Sequence, residues 1–161
     1  MRRLMFFDLE NTLIHHWTDQ RLCWQESNRK FLDECQPDVI GIFSFALWCD
    51  ENIQQFIEGH MLPMIQDEYG IEIDQSLIIH VDEVMAAMNR SPFREGRPEV
   101  NRNNEKEYGF YDWCYANYQS HLKGYDEVWL VDDTMEDGED SDLFSDIKLV
   151  FRNPVVIQSY I

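Results

Sequence analysis

Apolar residues in this chain gather in short, dense runs, most of them closed by polar or acidic residues. Leu4-Met5-Phe6-Phe7 runs into Asp8, and Val39–Leu47 is broken only by Gly41 and the hydroxyl of Ser44. Ser76–Val81 closes on Asp82-Glu83, Glu127–Val131 closes on Asp132-Asp133, and Asp146–Phe151 is followed by Asn153-Pro154. Runs this short, bounded by polar clusters, read as strands buried on both faces, as in a parallel sheet. Between them the spacing becomes helical. Trp24, Ser27, Phe31 and Cys35 predict one helix, which Gln36-Pro37-Asp38 stops, because proline biases its predecessor away from the helix. Ile53, Phe56 and Ile57 predict another, capped by Asp50, kinked or divided by Pro63 and ended by Gly70. A short helix is expected over Val84–Met88, and a longer one over Glu107–Leu122, with Phe110, Trp113, Cys114 and Asn117 on one side and Gly124 at its end.

Strand runs alternating with helical patterns predict an α/β fold: a Rossmann-like three-layer sandwich around a central, mostly parallel five-stranded sheet. No internal repeat and no domain-splitting linker interrupts the pattern, so residues 1–161 are read as one domain. Residues 89–104 show no periodicity and hold Arg90, Arg94, Arg97 and Arg102. A stretch like this is either a solvated loop or an arginine-bearing flap over an anionic substrate.

Composition narrows the classes. An apolar content of 44% and an aromatic content of 14% are those of a chain with a real core. The formal charge of −18 leaves no excess of lysine and arginine to displace counterions, which argues against general nucleic-acid binding or attraction to an anionic membrane. The same charge serves solubility, holds a divalent cation, or offers an acidic surface to a protein partner. Cys23, Cys35, Cys49 and Cys114 are widely spaced and form no CxxC pair, so reduced thiols are expected. Met1-Arg2-Arg3 and four apolar residues do not make a secretory leader, and no run reaches membrane-spanning length. A soluble, cytoplasmic protein is expected.

The chemistry sits where the runs end. Asp8 and Glu10 follow the first, and Asp132-Asp133 follow the fourth. In open α/β sheets the carboxyl ends of strands are where ligands bind, although an aspartate there also serves simply to cap a turn. Ser44 is either a satisfied core hydroxyl or, if the strand stops before it, a group at the same edge. Lys106 stands at the start of a helix, where the dipole disfavours a cation and a compensating anion is implied. His15 and His16 are read as loop residues, because neighbours on a strand point to opposite faces and would not share one ion.

Taken together, Asp8-Leu9-Glu10-Asn11-Thr12, a strand ending in Ser44, Lys106 and a strand ending in Asp132-Asp133 resemble the haloacid dehalogenase (HAD) superfamily of phosphohydrolases. The resemblance spans roughly residues 4–152, and its first motif, Asp-x-Asp-x-Thr, is matched except at Glu10. It implies a HAD-like domain, and the spacing of about 36 residues between Asp8 and Ser44 leaves no room there for a large cap. It also implies a Mg²⁺-dependent phosphatase that works through an aspartyl-phosphate. Asp8 would be the nucleophile and Glu10 the acid/base. Ser44 and Lys106 would hold the transferring group, with Thr12 as a further substrate contact. The metal would be held by Asp8, Asp132, Asp133 and the backbone carbonyl of Glu10. The implied substrate is a phosphorylated small molecule or a phosphoprotein. Glu10 departs from the family's aspartate by one methylene, which opens a second reading: a catalytically weak or inactive acidic module that binds a partner.

Overall fold

The computed structural model describes residues 1–87 and 105–155. At its centre is β1 (Arg3–Phe7), paired in parallel with β4 (Val39–Phe43) on one side and β6 (Glu127–Val131) on the other. The sheet order is β5-β4-β1-β6-β8-β7, where β5 is Ile78–Ile79, β7 is Ser141–Leu143 and β8 is Ile147–Arg152. The sheet therefore has six strands rather than the expected five. The extra one, β7, runs antiparallel along the β8 edge. A separate antiparallel hairpin, β2 (Ile14–His16) with β3 (Asp19–Leu22), follows β1 directly. His15 and His16 thus belong to a strand and not to the expected loop.

Alternation along β1 builds both halves of the core, as a strand buried on both faces requires. Met5 and Phe7 pack with Ile40, Ile42 and Val131 against Phe31 of α1 (Gln25–Cys35), Phe56 of α2 (Asp50–Glu58) and Leu62 and Ile65 of α3 (Met61–Tyr69). Leu4 and Phe6 face the other way, with Phe43, Val128, Leu130 and Phe151. They pack on Val84 of α4 (Val81–Ala87) and on Phe110 and Trp113 of α5 (Glu105–Ala116). The ring of Phe6 meets Trp113 edge-on at 5.5 Å, a favoured aromatic geometry. The result is a mixed α/β fold of three layers, broadly Rossmann-like.

Several boundaries differ from expectation for local reasons. The Val39–Leu47 run is strand only to Phe43, and Ser44 is the first residue beyond it. The α2/α3 break falls at Gly59-His60, while Pro63 lies in the first turn of α3, where a missing N–H costs no helical bond. Gly70 ends α3 in the left-handed region at φ 63°, as its position predicted. On α1 the buried face is Asn28, Phe31 and Cys35, with Asn28 in place of the expected Ser27. The expected helix to Leu122 is α-helical only to Ala116 and finishes as a π-turn over Tyr118–Leu122. Gly41 has no room for a side chain: a Cβ there would lie 2.5 Å from the Leu77 carbonyl oxygen and 2.7 Å from the Phe6 ring. Its absence lets the 3₁₀ turn Gln75–Leu77 settle onto the sheet and places β5 beside β4. Among the described residues no helix is long and apolar enough to cross a membrane.

Candidate metal centre

The connection leaving β1 leads to β4 on one side, and the connection leaving β6 leads to β8 on the other. Such a switch point opens a crevice at the carboxyl ends of the two strands. Asp8 is the first residue past β1, and its N–H donates to Val131 O at 2.9 Å, which carries the ladder one step beyond the strand. Asp132 is the first residue past β6 and is secured on its far side, where its N–H donates to Arg152 O at 3.0 Å. Asp8, Asp132 and Asp133 each offer a carboxylate oxygen within 4.8 Å of the others. Asp8 is only 4% exposed and Asp132 is fully buried. Charges buried at this spacing repel strongly, and a bound cation is the ordinary way such a group is stabilised. The cluster is therefore compatible with a site for a divalent metal ion.

Neighbouring side chains fix each carboxylate. Thr12 Oγ1 donates to Asp8 Oδ2 at 3.1 Å and accepts the Asp133 N–H at 3.1 Å. Thr134 donates to Asp132 Oδ1 twice, from its N–H at 2.9 Å and its hydroxyl at 2.7 Å. Asn11, in the left-handed region at φ 56°, donates from Nδ2 to Asp133 Oδ2 at 3.1 Å. The brace reaches one layer further. Asn28, fully buried on α1, donates from Nδ2 to the Thr12 carbonyl at 2.7 Å. Thr12 is itself fully buried, and its hydroxyl ties Asp8 to Asp133.

The cleft in front of the cluster encloses about 290 Å³ and is lined by Asp8, Asp133, Glu10, Ser44 and the two histidines of β2, with Phe45 and Ala46 beside them. Ser44 is buried at the tip of β4, where its Oγ accepts the Ala46 N–H at 3.1 Å. A hydroxyl that accepts one bond can still donate another. Glu10 lines the cleft but stands outside the three-carboxylate cluster. Its Oε2 accepts the Trp17 N–H at 2.8 Å and meets His16 Nε2 at 3.2 Å. On the other side of the ring, the Thr18 N–H donates to His16 Nδ1 at 3.3 Å. Both histidines border the cleft although they are adjacent in sequence, and neither belongs to the carboxylate cluster.

The remaining expectations divide. Lys106 falls in the first turn of α5, and its side chain lies outside the described residues, as do Arg90, Arg94, Arg97 and Arg102. Cys23, behind the site, has its thiol pushed up to about 12, first by burial and then by the charges of Asp133 and Asp8. It is a packing residue and not a nucleophile. No protein-family model, no curated protein and no solved structure matches this chain. Sequence reasoning did not find the hairpin that holds Glu10, the Thr134 clamp or the Asn28 brace. The signal for Asn28 was a polar residue on the apolar face of α1. The other two carry no signal beyond short polar turns.

Proposed function

We propose that the protein is a Mg²⁺-dependent phosphohydrolase acting on a phosphomonoester through an aspartyl-phosphate on Asp8. The observation that carries this reading is the convergence of Asp8, Asp132 and Asp133 within 4.8 Å at the switch point of the sheet. The order of these residues along the chain is that of the HAD superfamily, and a member of that superfamily with no large cap is the fold we assign.

The donor set is all carboxylate oxygen, which suits a small hard cation with ligands at about 2.1 Å. Asp8, Asp132 and Asp133 would hold it together with the Glu10 backbone carbonyl. When bound, the metal would offset the repulsion between a carboxylate nucleophile and an anionic phosphoryl group. Asp8, held by the Thr12 hydroxyl, attacks the phosphorus and takes the phosphoryl group as the substrate's ester oxygen leaves. Ser44 donates to a phosphate oxygen, and Lys106 balances charge on the transferring group. Glu10, paired with His16, gives a proton to the departing oxygen and later takes one from the water that hydrolyses the acyl phosphate. Substrates are phosphorylated small molecules or phosphoproteins.

A second reading rests on the engagement of Glu10 with the hairpin. A carboxylate committed to Trp17 N–H and His16 is less free to follow the reacting atoms, and a misplacement of about 1 Å can cost on the order of 10²-fold in rate. On this reading the chain is a weak or inactive relative that binds a partner through its acidic surface. Phosphate release from an aryl phosphate, with and without millimolar Mg²⁺, separates the two. Turnover that needs Mg²⁺ and vanishes in Asp8→Asn supports the phosphatase. A wild type as inert as Asp8→Asn, with a melting temperature that Mg²⁺ leaves unchanged, overturns both the activity and the metal site.

A further inference from the structure

Trp24 breaks two local rules at once. It stands at the N-cap of α1, where Ser, Thr, Asp or Asn ordinarily offers an oxygen to the first free N–H groups, and its side chain makes no such bond. Its backbone is left-handed, at φ 49° and ψ 34°, a conformation that strains a bulky residue. Core packing does not account for the choice. Trp17 and Leu22 of the preceding hairpin pack against the core, whereas Trp24 is half-buried and belongs to none of the hydrophobic clusters among the described residues. What its indole does is donate: Nε1–H meets Asn11 Oδ1 at 3.3 Å.

Asn11 is left-handed too, at φ 56°, which asparagine tolerates better than most residues. Glycine would adopt that backbone with less strain but would bring no side chain. The side chain is a bridge: Oδ1 accepts from the Trp24 indole, and Nδ2 donates to Asp133 Oδ2 at 3.1 Å. An indole N–H only donates and a carboxylate only accepts, so both neighbours demand the same orientation of the amide. Turned over, the amide would set its oxygen against the carboxylate and its NH₂ against the indole N–H. The second anchor matters because Asn11 is exposed at the wall of the cleft. An amide in water has many partners, and a bond it offers to a carboxylate adds little unless the amide is already held. Thr12 accepts the Asp133 N–H from within the fold, and the Trp24–Asn11 chain holds the Asp133 carboxylate from the solvent side.

We propose that Trp24 is a positioning residue for the metal centre, acting through Asn11 to keep the Asp133 carboxylate beside those of Asp8 and Asp132. The role rests on the metal site proposed above and extends it to the N-cap of α1. Strained backbone is retained where it serves a binding site, and at Trp24 the strain is offset by the one bond that fixes the Asn11 amide. Groups that orient a metal ligand from behind govern affinity for the ion without touching it.

The test measures Mg²⁺ affinity by calorimetry in the full chain, for wild type, Trp24→Phe, Asn11→Gly and the double variant. Trp24→Phe keeps an aromatic ring and loses the N–H, while Asn11→Gly suits the left-handed backbone, so both should keep the wild-type circular dichroism. Asn11→Gly should weaken Mg²⁺ binding about tenfold or more, and Trp24→Phe about 3- to 10-fold. The double variant should be no weaker than Asn11→Gly alone, because Trp24 acts only through Asn11. In ¹H–¹⁵N spectra of the wild type, the indole resonance that Trp24→Phe lacks should shift as Mg²⁺ is added, and Asn11→Gly should abolish that shift. The indoles of Trp113 and Trp129, which donate to Glu83 and Glu127, should not respond. Equally tight binding by Trp24→Phe, losses that add in the double variant, or an unmoved Trp24 resonance overturns the role of Trp24 and leaves the metal site standing. A wild type that takes up no Mg²⁺ by either readout overturns the metal site and this proposal with it.

Discussion

The two acidic groups of the cleft are held in opposite ways. Asp8 and Asp132 stand on the tips of adjacent buried strands and are fixed by ladder hydrogen bonds, with Thr12 and Thr134 clamping their side chains. Glu10 leaves that frame after two residues and is fixed by an exposed hairpin, through Trp17 N–H and a histidine whose side chain is 61% exposed. A position set by buried strands is restored by the whole core whenever it is disturbed. A position set by a short surface hairpin is restored by a few solvent-competing bonds and opens at small cost. The metal-compatible cluster is therefore the rigid half of the site, and the half to which we assign proton transfer is the adjustable one.

Substitutions on the two sides should separate accordingly. The largest effect is expected at Asp8: Asp8→Asn should lower turnover on the order of 10⁴-fold or more while leaving the fold intact, measured by phosphate release and circular dichroism. Glu10→Gln comes next, with a loss of about 10²- to 10⁴-fold in turnover and unchanged Mg²⁺ affinity, because its carboxylate lies outside the cluster. Glu10→Asp should keep or raise the rate. Thr12→Val removes the group shared by Asp8 and Asp133, and should weaken Mg²⁺ binding about 10- to 100-fold in calorimetry, as loss of a ligand's supporting partner does. The same change leaves the Asp133 N–H without its acceptor and should cost about 1–3 kcal/mol of stability in urea. The smallest effect is expected at His16→Gln, a few-fold change in turnover with no change in Mg²⁺ affinity, since the Trp17 N–H still holds Glu10. If His16→Gln weakened Mg²⁺ binding as much as Thr12→Val, the division into a rigid and an adjustable half would fail.

What could be read from the sequence follows the same division. The strands around the cluster are continuous apolar runs, and buried parallel strands leave that trace because both faces are covered. Their ends are marked by Asp8, Ser44 and Asp132, so the positions that meet at the switch point were legible before their distances were. The hairpin was not. His15-His16 on β2 and Asp19-Gln20-Arg21 on β3 are polar and carry no period-two alternation, and no Asn-Gly or Asp-Gly marks their turn. β7 was hidden for a similar reason, since Ser141-Asp142-Leu143 sits inside an acidic stretch and gains its strand character only from pairing with β8. Thr12 could be read as a polar residue near the site but not as the link between two carboxylates, because that role depends on Asp133, far along the chain.

The central claim is that Asp8 takes the phosphoryl group, and the rigid–adjustable contrast offers a direct way to catch it there. Glu10→Gln should still form the acyl phosphate and be slow to hydrolyse it, because activation of water depends on the missing carboxylate. The measurement is peptide mass spectrometry of Glu10→Gln quenched in acid after incubation with Mg²⁺ and an aryl phosphate. The account predicts a phosphoryl group on the peptide that contains Asp8, absent without Mg²⁺ and absent in the Asp8→Asn, Glu10→Gln double variant. A phosphoryl group on any other residue, or Mg²⁺-dependent turnover that survives in Asp8→Asn, would contradict it.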